Sequence, residues 1–232
     1  MKRLTICALL MLAFAVILWA GDKDFWKSKP YTEWTEKEVE KMLTDSPWVK
    51  KWYYDPSRYS AMQEAGRQET RDLRGAGSIR SQMPTQPFTL LIAWSTAQPW
   101  KAAVMRNQQL TTGKSNPEQE KAFIEGEEPL IRIQVMSTNP RLLMGLTTEQ
   151  LQESTYLEVK GKDKVKIPIA RYAAPDKDNP NVALYIFPKE YEGNPVLTPE
   201  VKEISFCTKI SKAEIKVKFK TKDMKVNDQI EW

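Results

Sequence analysis

From residue 88 onward, apolar side chains recur with a period of two, the pattern of strands that bury one face. Residues 130–136 show it most plainly: Ile131, Ile133 and Val135 fall on one side, Arg132 and Gln134 on the other. Residues 88–94, 156–159, 165–169, 204–210 and 215–219 are similar short runs rich in β-branched and aromatic residues. Residues 182–187 are apolar throughout, as expected of a strand covered on both faces. Asn116-Pro117, Asn139-Pro140, Asn179-Pro180 and Asn194-Pro195 lie between the runs, where turns are needed. About seven strands separated by turn signals predict a mainly β fold over residues 88–232, an antiparallel β-sandwich that is immunoglobulin-like in general architecture. Helical insertions are expected at residues 99–110, 117–124 and 148–153.

Residues 21–74 follow a different rhythm. Thr35 with Glu38 forms a capping box, and Val39, Met42 and Leu43 then supply a helical apolar stripe. Ser46-Pro47 has the serine-then-proline order of a helix start. The expectation is an aromatic-rich N-terminal helical module, a helical hairpin followed by a charged helix that runs to about Arg74. Residues 75–87 mix glycine, serine and proline without period and read as a linker.

The first 20 residues carry Lys2 and Arg3, then an uncharged run from Leu4 to Ala20, then the polar stretch beginning Gly21-Asp22-Lys23. That order predicts a secretory signal peptide, or an N-terminal anchor if it is not removed. Both outcomes put the rest of the chain outside the cytoplasmic membrane, in the periplasm or secreted, with membrane contact only through this segment.

Composition narrows the chemistry. The net charge of +5 includes the two basic residues of the leader, and the remainder is too mildly basic to argue for nucleic acid. Cys7 lies in the leader, so Cys207 is left with no partner for an internal disulfide. There is no histidine. Ser-His-Asp and Cys-His nucleophile pairs, His-ligated zinc and imidazole proton shuttles are therefore excluded. Gly113-Lys114-Ser115 has Gln108 where a phosphate-binding loop needs its first glycine. No cofactor, metal site or catalytic residue is expected. A hydrolase built from carboxylates, acting on an envelope or extracellular polymer, remains the competing class, and it requires two acids that converge in a cleft.

Two features are candidates for partner contact. Trp26, Trp34, Trp48 and Trp52 cluster early in the chain, and exposed rings stack well on sugars or side chains. The opposing reading, favoured here, is that a helical module poor in aliphatic residues uses them for packing. Later, Lys216, Lys218, Lys220 and Lys222 alternate with Ile215, Val217 and Phe219. If all are strand residues, the lysines form one ridge at intervals of roughly 7 Å while the apolar row faces the core. Such a ridge suits an anionic glycan or headgroup, and it equally suits a solvated strand protected from aggregation, the reading that carries more weight. Asp176-Lys177-Asp178-Asn179 lacks the glycine and glutamate of a calcium loop and reads as a turn. Glu127-Glu128 are neighbours that splay apart rather than converge.

Two stretches carry a resemblance. Lys23-Asp24-Phe25-Trp26 with residues 29–39, leading to Leu43-Thr44-Asp45-Ser46-Pro47-Trp48, resembles the opening of a group of uncharacterised exported bacterial proteins related to the GWxTD-domain proteins. Phe187-Pro188-Lys189 and residues 218–224 are similar to later segments of that group. The GWxTD motif itself is absent. The resemblance implies export and a shared fold and brings no activity with it. The expectation is a non-enzymatic binding or structural module of the cell envelope that contacts a protein or glycan partner.

Overall fold

A computed structural model describes residues 24–57, 86–161, 163–211 and 213–232. The signal segment, the charged helix expected beyond residue 57 and nearly all of the linker fall outside these residues.

The alternating runs form strands as read. β1 (Val49–Tyr54), β2 (Phe88–Trp94) and β3 (Leu130–Ser137) are joined through β7 (Val182–Pro188) to β6 (Arg171–Ala173), in the sheet order β1-β2-β3-β7-β6. The second sheet has the order β11-β10-β4-β5, built from β4 (Tyr156–Lys160), β5 (Lys164–Pro168), β10 (Glu203–Ile210) and β11 (Ala213–Lys220). Every pairing in both sheets is antiparallel. The inner faces meet through rings: Tyr185 and Phe206 lie 5.1 Å apart edge to face, and Trp94 and Phe219 lie 5.5 Å apart. The fold is thus a mainly β, antiparallel two-sheet arrangement around one core, as the periodicity predicts. Two short hairpins are added, β8 (Glu190–Tyr191) with β9 (Asn194–Pro195), and β12 (Lys225–Val226) with β13 (Gln229–Ile230).

Helices occupy the predicted places. α1 (Phe25–Ser28) and α2 (Glu36–Thr44) precede β1; α3 (Gln98–Thr112), α4 (Pro117–Glu125) and α5 (Thr148–Gln152) interrupt the strands. The Thr35 capping box is formed, with the Glu38 amide donating to Thr35 Oγ1 at 3.3 Å and the Thr35 amide donating to Glu38 Oε2 at 2.9 Å. Asn116 is a helix cap rather than a turn residue: its side chain accepts from the Gln119 amide at the start of α4.

One reading of the N-terminal region needs correction. Ser46-Pro47 does not begin a helix. The Ser46 hydroxyl instead donates back to the Met42 carbonyl at 2.7 Å, closing α2, and the chain turns into β1. Val49-Lys-Lys-Trp-Tyr-Tyr is rich in strand-forming types, and pairing with β2 satisfies its backbone and buries Val49 and Tyr54. Residues 24–57 are therefore not a purely helical module, since they contribute an edge strand to the five-stranded sheet.

Candidate functional site

β11 separates its side chains as the period of two requires. Ile215, Val217 and Phe219 are buried, while Glu214, Lys216, Lys218 and Lys220 are exposed. Lys222 is not in that row. Thr221 turns inward, its hydroxyl donating to the Val201 carbonyl at 2.6 Å and the Lys202 carbonyl at 3.1 Å, and the strand gives way to a 3-10 turn over Thr221–Asp223.

Register extends the ridge into a face, which the sequence of a single strand cannot show. Residues directly opposite in antiparallel strands project to the same side. Glu203, Ser205, Cys207 and Lys209 of β10 stand opposite Lys220, Lys218, Lys216 and Glu214. Lys160 and Glu158 of β4 follow, then Lys164 and Lys166 of β5. Lysines contributed by four strands, all exposed, far outnumber the three glutamates on this outer face. Lys160, Lys164, Lys166 and Lys209 were missed in the sequence reading because each is unremarkable within its own strand.

The carboxylates on this face order some of the lysines. Glu158, 9% exposed at its side chain, receives Lys216 at 2.8 Å and Lys164 at 2.9 Å. These two charge-assisted bonds, from Lys216 first and Lys164 second, hold its carboxyl below the usual range. Lys216 is correspondingly raised by the bond to Glu158. Lys218 lies 3.3 Å from Glu203, and Lys166 stands 4.4 Å over the Tyr156 ring. Cys207 sits beneath this layer, buried, and burial raises its thiol above the ordinary value. That is the setting of a packed thiol rather than of a nucleophile.

The tryptophans have a different place. Trp26, Trp34 and Trp48 are 7%, 2% and 0% exposed, and Trp52 is half-buried against the core. Phe25 meets Trp26 and Trp34 edge to face at 5.1 and 5.2 Å, and Trp26 meets Trp48 at 5.7 Å. The Trp48 indole donates to the Glu231 carbonyl at 2.6 Å, and the Trp34 indole to the Lys29 carbonyl at 3.2 Å. Trp26, Trp34 and Trp48, buried in this way, are not open stacking platforms, while Trp52 keeps part of its surface in solvent.

Several of the other acidic groups have local partners. Asp176 accepts the amides of Asp178 and Asn179 within one turn, as read. Glu128 pairs with Arg132 and lies 3.6 Å from the buried Lys101. Glu120 ties the N-terminal segment to α3 and α4: it accepts from Tyr31, Gln109, Ser115 and the Asn116 amide, and these bonds outweigh burial and lower its carboxyl. Burial raises the Glu231 carboxyl, and among the described residues no second carboxylate lines the small apolar pocket beside it. Among the described residues no cluster of three or more histidine, cysteine, aspartate or glutamate side chains is arranged to hold a metal, and no helix is long and apolar enough to cross a membrane.

No family model, curated protein or solved structure matches the chain.

Proposed function

We propose that this chain is an exported, non-enzymatic binding or structural module of the cell envelope, and that the outer face of its four-stranded sheet contacts an anionic partner, an acidic glycan in the first instance. The observation that carries this reading is the register of β11, β10, β4 and β5, which assembles lysines from four strands on one side. Strands lie about 4.8 Å apart and same-face residues about 7 Å apart along each strand, so the ammonium groups form a two-dimensional array rather than a line. An extended polyanion meets several of them at once. The export part rests on the leader of residues 1–20 and on the resemblance to exported proteins.

The test is a titration of an immobilised acidic polysaccharide with the native chain and with a variant carrying Lys166→Gln, Lys209→Gln, Lys218→Gln and Lys220→Gln, which leaves the Lys216–Glu158–Lys164 cluster intact. Native binding is expected to weaken as salt rises, because exposed charges are screened over about 8 Å at physiological ionic strength. The variant is expected to lose at least tenfold in affinity. Equal binding by the two proteins, or salt-independent binding, would mean that the lysines only keep the face solvated.

A further inference from the structure

The four edge strands of the two sheets are not equally protected. β1 and β11 lie against each other across the sandwich. β6 is short, and its Tyr172 amide donates to Thr148 Oγ1 at 3.0 Å. β5 differs: among the described residues, Lys164–Pro168 form backbone hydrogen bonds with β4 and with no other element. An edge of this kind presents unpaired backbone donors and acceptors to a suitable strand.

Beside β5 the sandwich opens into a groove of about 570 Å³. Val165 and Ile167 of β5 form one wall, and Tyr191 and Val196 from the β8–β9 hairpin and its continuation form the other. The hairpin wall is fixed by a tight turn in which Glu192 and Gly193 both have positive φ, 51° and 76°. Val165 is 41% exposed, a large share for a β-branched side chain on the inner face of a sandwich. Asp163 and Glu192 stand at the groove rim, and no lysine or arginine is among the described lining residues. Lys164 and Lys166, on the same strand, project to the opposite face. The side chains of β5 therefore alternate between an apolar groove with an acidic rim and a basic outer surface.

We propose that this groove docks an extended segment of a partner protein, which adds to β5 as a further strand of the four-stranded sheet. The alternation dictates the partner's pattern. A strand laid beside β5 turns every second residue into the groove and the others outward. The groove-facing positions call for apolar side chains flanked by basic ones that meet Asp163 and Glu192; the outward positions call for acidic side chains beside Lys164 and Lys166. Main-chain bonds supply attachment, and the two-sided charge pattern supplies register and selectivity. This site shares Lys164 and Lys166 with the outer face, but its groove and backbone edge lie apart from the glycan contact proposed there and do not depend on it.

The probe is a capped heptapeptide of sequence lysine-glutamate-valine-glutamate-valine-glutamate-lysine, titrated into the isotope-labelled chain while backbone amide shifts and hydrogen exchange are recorded. The amides of Val165, Lys166 and Ile167 are expected to shift saturably and to exchange more slowly. A control peptide with lysine and glutamate interchanged, glutamate-lysine-valine-lysine-valine-lysine-glutamate, is expected to leave them unchanged. Val165→Lys is expected to fold because the site is partly exposed, and this variant is expected to weaken the probe at least tenfold while its other amide shifts stay native. The proposal is overturned if the probe leaves β5 unaffected at millimolar concentration, if both peptides act alike, or if Val165→Lys binds as the native chain does.

Discussion

On the five-stranded sheet, α2 and α3 bring Leu43, Trp100 and Val104 to the groove that Leu91 and Ala93 line on the outer side of β2. On the four-stranded sheet, among the described residues, most outward positions of β11 and β5 carry lysines, and these are open to solvent. The contrast follows from what each strand places outward. A row such as Leu91 and Ala93 needs cover to leave water, and Leu43 of α2 with Trp100 and Val104 of α3 provide it; a row of lysines is stable in water as it stands. The cover is incomplete, since Tyr53 and Met136 on the five-stranded sheet remain 60% and 40% exposed. The tryptophan cluster and the lysine ridge, both candidates for partner contact in the sequence, thus end in opposite environments: Trp26, Trp34 and Trp48 are buried, while the lysines stand in solvent on the outer face of the four-stranded sheet.

The contrast breaks most readily at the rings. Trp34→Ala is expected to cost about 3–5 kcal/mol, the range for emptying a buried tryptophan site, and Phe219→Ala in the shared core a similar amount; urea unfolding measures both. If Trp34→Ala costs no more than a surface change, the N-terminal rings are not part of the cooperative core. A smaller effect is expected from Thr35→Ala, which removes the acceptor for the Glu38 amide at the start of α2. A lost cap is worth about 1 kcal/mol, readable as a lower thermal midpoint.

On the open sheet, the acid response sharpens the picture. Glu158 is held below its ordinary value of 4.5 by Lys216 and Lys164. A carboxyl depressed on folding adds stability above its unfolded value and loses that contribution as pH falls through the lower folded value. The native chain is expected to weaken over this acidic window more than Glu158→Gln does, and denaturant midpoints measured down through the carboxylate range test it. The smallest effect belongs to the lysines themselves: Lys209→Gln and Lys220→Gln are each expected to change stability by no more than about 0.5 kcal/mol. A larger loss would show that the charged face also holds the sheet together.

Much of the architecture was legible in the chain. Seven strands and three helical insertions were readable because period two and the helical stripe are local patterns imposed by burying one face. The misread helix after Ser46-Pro47 shows the limit of such signals. Serine followed by proline favours a helix start locally, but the partner strand β2, some forty residues further along the chain, decides the matter by offering Val49–Tyr54 a ladder of hydrogen bonds. Lys222 fails for a related reason: the alternation of residue types continues past the strand, whereas the Thr221 hydroxyl, bonded to the carbonyls of Val201 and Lys202, ends the strand at Lys220.

By itself, then, the sequence determined which residues alternate, where α2 is capped, that β11 has a charged side and an apolar side, and that no chemistry requiring histidine is available. Only the tertiary structure decided that Trp26, Trp34 and Trp48 are interior, that the lysines of β4, β5 and β10 join those of β11 on one face, and that Val165 opens into a groove rimmed by Asp163 and Glu192. The reason is physical. Alternation and capping arise from contacts within a few residues, while burial and shared faces depend on pairing between strands far apart in the chain, whose register is set by the whole core at once.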